Sequence, residues 1–188
     1  MNAIYKLLKN GAKNYSVTVV DEINSTNSYL KDNAENLKDG AVIIAKKQTA
    51  GRGRLGRSFI SEKGGLYMSL LIKPSLCAEK SLFITTTTAV AVARAIETVS
   101  DKKTGIKWVN DLFIDGKKVC GILTEASFNP ESRKLQYAVL GVGINMYEPE
   151  GGFPDEIKNI AGSVFSETKE NLRNKVTAYF LNSFMEYY

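Results

Sequence analysis

Hydrophobic and polar positions along this chain switch between a period of two and a period near 3.6. Tyr15 to Val20 (YSVTVV) is β-branched and aromatic and predicts a strand. Asn24, Ser25 and Thr26 offer side-chain oxygens to cap a polar helix, which is expected to run to about Asn36 and stop before the Asp39–Gly40 turn. Ala41 to Gln48 (AVIIAKKQ) begins as a buried strand and ends basic, and Leu66 to Lys73 (LYMSLLIK) predicts another that stops at Pro74. Between them, Thr49 to Ser58 is a loop by composition: three glycines interleaved with arginines leave no apolar face. From Glu79 to Val99, Leu82, Phe83, Ala89, Val92, Ala93, Ile96 and Val99 recur at helical spacing. Threonines 85–88 weaken that helix locally, and Ala89, Ala91, Ala93 and Ala95 allow it to approach a sheet closely. Ile106 to Phe128 reads as two strands around the Asp115–Gly116 turn, and Leu135 to Asn145 as a strand broken by Gly141 and Gly143. Residues 148–166 read as loop. A final amphipathic helix starts near Thr168, with Leu172, Val176, Phe180, Phe184 and Tyr187 on one face. The order of elements predicts an α+β fold, a mixed, mainly antiparallel sheet with helices packed against it, in a single domain over residues 1–188.

Composition narrows the chemistry. The chain has no histidine, which excludes Ser-His-Asp and Cys-His nucleophile systems and histidine metal sites. Cys77 and Cys120 form no CxxC pair and are expected as free thiols in a reducing compartment. The N-terminus does not read as a signal peptide, and no apolar run approaches the roughly 20 residues that span a bilayer. A cytoplasmic protein without a membrane partner is therefore expected. The net charge is +5, and Lys46 to Arg57 (KKQTAGRGRLGR) carries five cations and no anion. That concentration points to a local anion-binding surface.

Five segments carry candidate chemistry. In GRGRLGR (Gly51 to Arg57) glycines let backbone N–H groups converge on an anion, and Arg52, Arg54 and Arg57 add guanidinium forks. RNA binding and a plain solvated loop are the other readings of this stretch. KWVND (Lys107 to Asp111) in extended geometry would put Lys107, Val109 and Asp111 on one face, with Asp111 able to hold a Mg²⁺ that bridges phosphates. A half-buried strand with Trp108 in the core fits equally. Lys118 in KKVCGIL could stabilise a carboxylate becoming an acyl phosphate, with Gly121 leaving room for a ligand, or could be an ordinary strand-entrance lysine. GVGIN (Gly141 to Asn145) offers two glycines where a flat ligand could lie and an amide for a base edge, or a β-bulge. Ser25 and Thr26 of INSTN, with Gln48, suit a neutral urea or amide head, or helix capping.

In this order the segments INSTN, Q-x-x-GRGRxGR, KWxND, KKVxGIL and GxGIN resemble the catalytic domain of the biotin protein ligases, over about Tyr15 to Tyr147. The resemblance implies a class II synthetase-like fold and a two-step reaction: biotin and MgATP give biotinyl-5′-AMP, and a lysine of a biotin carboxyl carrier domain then takes the biotin. By the same resemblance biotin would be bound by Ser25, Thr26, Asn27, Gln48, Gly51, Arg52, Arg54, Lys118 and Gly121. ATP and the adenylate would be bound by Arg52, Arg54, Arg57, Phe59, Lys107, Asn110 and Asn145. Asp111 would hold Mg²⁺, and Lys118 and Arg54 would be catalytic. The Arg/Gly loop is expected to be mobile when empty and closed over the adenylate. Val109 stands where the family commonly has proline, Phe59 where tryptophan is usual, and Cys120 where a smaller residue is common. The chain stops within or just after the last catalytic helix, before the small β-barrel that many members carry. Its N-terminus is too short for the helix-turn-helix of the repressor-ligases, so nucleic-acid binding is not expected. A homodimer through a sheet edge or face is left open. A lipoate ligase of the same fold and a non-enzymatic nucleic-acid-binding module are the alternatives.

Overall fold

The computed structural model describes residues 2–9, 12, 14–77 and 81–188. Seven strands form one sheet: β1 (Ser16–Ile23), β2 (Ala41–Gln48), β3 (Leu66–Ile72), β4 (Gly105–Lys107), β5 (Asp111–Ile114), β6 (Lys117–Phe128) and β7 (Leu135–Ile144), in the order β1-β2-β3-β7-β6-β5-β4. Only β1 and β2 run parallel; the other five pairings are antiparallel. The mixed, mainly antiparallel sheet with packed helices is the architecture expected from the pattern.

The period of two sorts side chains onto two faces. Val42, Ile44, Leu70, Ile72, Ala138, Leu140 and Val142 point to the large core, which is closed by α3 (Ser81–Ser100) and α4 (Leu172–Tyr187). Ile43, Leu71 and Val139 point the other way, beneath Leu30 of α2 (Thr26–Asp32). A short α1 (Asn2–Tyr5) places Ile4 in the large core. The smaller layer covers only part of its face, and the uncovered part carries the cleft described below.

Several expectations shift for identifiable reasons. α2 ends at Asp32 because Asn33 caps it: its side-chain amide donates to the Tyr29 carbonyl at 2.8 Å, and i→i+3 turns follow. α3 is continuous through threonines 85–88. Thr88 donates to its own helix at the Ile84 carbonyl, whereas the Thr85 hydroxyl bonds Thr124 of β6 at 2.8 Å. The predicted start of α3 at Glu79 lies outside the described residues. By length and composition α3 is apolar enough to cross a membrane, contrary to the expectation that no segment approaches that length. Its alanine face is instead buried against the sheet and α4. Ile106 to Phe128 forms three strands, because residues 108–110 turn between β4 and β5. Hence KWVND is not extended, and Trp108 is 72% exposed at the turn rather than in the core. The Asp115–Gly116 hairpin forms as expected, both residues at positive φ (49° and 73°). β7 runs unbroken through Gly141 and Gly143, where its register with β3 and β6 is regular; the one shift against β6 lies at Ser127/Phe128. In α4, Tyr187 leaves the apolar face: it is exposed, and its hydroxyl accepts from Arg94.

Candidate active site

The uncovered part of the α2 face forms a cleft of about 280 Å³. Its floor follows from strand register. Gly121 of β6 pairs with Gly143 of β7, and Gly141 of β7 pairs with Ser69 of β3, so the missing side chains lie side by side on two adjacent strands. The gaps are filled from above. A Cβ on Gly143 would lie 2.6 Å from Phe59 Cε1, and one on Gly121 would lie 2.9 Å from Phe59 Cε2. The Phe59 ring therefore lies across both glycines, edge-on to Tyr67 at 6.4 Å. A Cβ on Gly141 would collide with the amide of Asn27.

One end of the cleft is neutral and hydrogen-bonding. The Ser25 hydroxyl accepts from Ser28 N–H at 3.3 Å and so caps α2, while Ser25 also lines the cleft. Thr26 N–H donates to Gln48 Oε1 at 2.8 Å, and Thr26 Oγ1 lies 3.0 Å from the same oxygen. Gln48 Nε2 donates to Ser61 Oγ at 2.9 Å. The buried Ser69 hydroxyl lies 2.7 Å from Thr26 Oγ1 and 2.6 Å from Asn27 Oδ1. This end can satisfy a neutral polar head without placing a charge there.

The other end is cationic. Lys118 Nζ pairs with Asp111 Oδ1 at 2.7 Å. Arg54 donates to Asn110 Oδ1 at 2.9 Å, and Asn110 Nδ2 donates to Asp111 Oδ1 at 3.2 Å and to the Ile122 carbonyl at 3.1 Å. Arg52 and Arg57 also line the cleft, and Arg52 pairs with Glu125 at 3.0 Å. The Arg/Gly stretch is a small hairpin: Arg52 bridges Ser58, Gly53 N–H donates to the Arg57 carbonyl at 2.7 Å, and Leu55 turns the tip at φ 56°. Gly51 has no room for a side chain, because a Cβ would strike the Phe59 carbonyl and Ser61 Oγ. Of the five cations in residues 46–57, only the three arginines reach the cleft. Lys46 pairs with Asp21 at 2.6 Å, and Lys47 lies 3.3 Å from Glu62.

The fold thus brings together Ser25, Thr26, Asn27, Gln48, Arg52, Arg54, Arg57, Phe59, Asn110, Asp111, Lys118 and Gly121. It leaves three expected residues out of the lining: Gly51, which packs against the Phe59 carbonyl and Ser61, Lys107 and Asn145. Lys107 is exposed, with Nζ 6.0 Å from the Phe113 ring centroid, and does not line the cleft. Asn145 donates to the Gly162 carbonyl at 3.0 Å and fastens the 157–164 segment to the end of β7 instead of facing the cleft. Sequence reasoning passed over Ser69 and Glu125. The second was within reach, since Glu125 follows Gly121 and Leu123 at a period of two on the cleft face. Burial would raise its carboxyl pKa, but hydrogen bonds from Lys31 and Asn27 and the charges of Arg52 and Lys31 outweigh burial and hold it below the ordinary value.

Residues 19–145 match the model of the biotin/lipoate A/B protein ligase family.

The chain belongs to this family.

It is 40% identical over 154 residues to the bifunctional ligase/repressor BirA of Bacillus spizizenii, covering 81% of this chain and 47% of that protein. Over 133 residues it is 32% identical to the biotin–[acetyl-CoA-carboxylase] ligase of Paracoccus denitrificans, covering 70% of this chain and 53% of the relative. The chain therefore spans about half the length of these curated relatives. Among solved structures it superposes on the Aquifex aeolicus biotin protein ligase in complex with biotin and ATP with a TM-score of 0.75 and 29% identity, covering 92% of this chain and 69% of that one. The family fold, an α+β class II synthetase-like sheet, is the one observed.

Proposed function

We propose that this domain activates biotin with ATP to biotinyl-5′-AMP and transfers the biotin to a lysine of a biotin carboxyl carrier domain. The observation that carries this is the polarity of the cleft: a neutral end at Thr26 and Gln48, a glycine floor, and a cationic end at Lys118 and Arg54. A ureido ring suits the first, an apolar chain the second, and a carboxylate beside a polyphosphate the third.

In the first step a biotin carboxylate oxygen attacks the α-phosphorus of ATP, forming a P–O bond as pyrophosphate leaves. The substrate is itself the nucleophile, so a histidine-free cleft suffices if it positions two anions and offsets their charge. Lys118 supplies one cation beside the reacting carboxylate, and Arg54 and Arg57 face the phosphates from the hairpin. Magnesium enters with the nucleotide. No group of three or more Cys, Asp or Glu occurs among the described residues, but a phosphate-borne Mg²⁺ needs only one or two protein carboxylates. Asp111, with Asn110 beside it, fits that need, and the ion would neutralise phosphate charge there. In the second step the lysine amine attacks the acyl carbonyl and AMP leaves, with the amine proton passing to solvent.

The test is ATP–pyrophosphate exchange on this chain with biotin or lipoate as the acid. Exchange with biotin, at least tenfold above lipoate, supports the reading. Adenylate formation with lipoate and none with biotin overturns it in favour of a lipoate ligase.

A further inference from the structure

Glu125 lies on the cleft face of β6, with its side chain 16% exposed. Its Oε1 accepts from Lys31 Nζ at 2.7 Å and from Arg52 Nη2 at 3.0 Å, and its Oε2 accepts from Asn27 Nδ2 at 3.0 Å. The three donors come from different places. Lys31 is on the half-exposed side of α2, Arg52 enters the Arg/Gly hairpin, and the buried Asn27 stands at the neutral end of the cleft. Asn27 is itself fixed by the Leu123 carbonyl and by Ser69, which also touches Thr26. A hydrogen-bonded path therefore runs from Arg52 through Glu125, Asn27, Ser69 and Thr26, whose N–H donates to Gln48, and on through Ser61 to the Phe59 carbonyl. Arg52 and Phe59 bracket the hairpin, so both its ends are tied to the polar floor of the cleft.

We propose that Glu125 is a positioning residue: it anchors Arg52, and through it the 51–59 hairpin, against the cleft and links that anchor to the neutral end through Asn27. One carboxylate offsets two cations here. Removing it leaves Lys31 and Arg52 facing each other, so the hairpin loses an attraction and gains a repulsion. The consequence for substrate rests on the proposed biotin activation: an anchored hairpin retains the acid and its adenylate, while the chemistry remains with Lys118 and Arg54.

The anchor is tested without substrate by limited trypsin cleavage after Arg52, Arg54 and Arg57, scored against cleavage elsewhere in the chain. Glu125→Gln is expected to speed hairpin cleavage about fivefold, the scale of one partly exposed charge pair. Lys31→Gln is expected to stay within about twofold of the parent, since it leaves the Arg52 contact in place. Arg52→Lys keeps one N–H donor for Oε1, and similar protection is expected. Unchanged hairpin cleavage in Glu125→Gln, a proportional rise at every site, or equal opening in Lys31→Gln overturns the proposal. With biotin and MgATP, Glu125→Gln is expected to raise the biotin KM about fivefold, with the adenylation rate within about twofold of the parent. A slowed adenylation step at unchanged KM overturns the positioning role. If trypsin shows the anchor while biotin gives no exchange, the anchor stands and the proposed substrate falls.

Discussion

Replacing Gly143 with alanine would put a methyl group 2.6 Å from Phe59 Cε1 and 2.9 Å from Cζ. The backbone there is regular β7 in register with Tyr67 and Gly121, and its φ is not in the left-handed region. The substitution itself therefore adds no dihedral strain and, by restricting the unfolded chain, favours folding by about 0.4–1 kcal/mol. Against this stands the overlap with the ring, of the kind that costs about 1–3 kcal/mol in a packed site. Phe59 is only half-buried and can rotate toward the cleft mouth, so a net destabilisation of about 1 kcal/mol is expected. The functional loss is larger, because a displaced ring and a raised floor both intrude where the ligand lies. Biotin-dependent pyrophosphate exchange should fall at least about tenfold, or 1.4 kcal/mol. Urea unfolding and exchange would be measured for Gly143→Ala, Phe59→Ala and the double variant. Removing the ring removes the clash, so the double variant should be more stable than the sum of the single effects by about 1 kcal/mol. Additivity within about 0.3–0.5 kcal/mol would refute the claim that the glycine exists to seat the ring.

Lys118→Ala removes the cation at the reacting end and should lower adenylation about 10²–10³-fold, with an urea midpoint close to the parent's; near-parental turnover would remove Lys118 from the mechanism. The Glu125 carboxyl titrates below its ordinary value of 4.5 in the folded protein, so its contribution is full above that value and fades as pH falls through the lower folded pKa. The stability gap between parent and Glu125→Gln should thus be about 1 kcal/mol at pH 7 and shrink below pH 4.5; a gap that is constant or widens in acid contradicts the pairing. Cys77 is exposed and Cys120 buried, with burial pushing the Cys120 thiol up. A thiol reagent should therefore titrate one cysteine in the native protein and two after unfolding; prompt reaction of both would contradict the packing behind Asp111 and Lys118.

Local pattern went far for elements whose partners are near in sequence. Ala41–Gln48 formed with the expected bounds because its run of apolar β-branched residues needs only a sheet on either side. The Asp115–Gly116 turn formed because two consecutive positive φ values suit those residues. Segments that bear chemistry stood out for the same reason: glycines, arginines and amides are conspicuous against an apolar background, and their order along the chain carried the family resemblance. Where a residue ends up facing was not local. Lys107 and Asp111 belong to one five-residue motif, yet the turn at 108–110 leaves Asp111 in the cleft and Lys107 outside it. Asn145 closes a motif whose glycines floor the cleft, but its amide is taken by the Gly162 carbonyl from a segment that has no strand pattern.

The sequence by itself determined the alternation of strands and helices, the absence of histidine chemistry and the cationic character of residues 51–57. Only the tertiary structure decided that β6 and β7 set Gly121 against Gly143, that Phe59 fills the gap, and that one glutamate on β6 holds an arginine from the hairpin and a lysine from α2. The reason is physical. Periodicity and turn chemistry are written within a few residues, whereas register, cross-strand glycine pairing and ion pairs between residues up to 94 positions apart exist only once the sheet has closed.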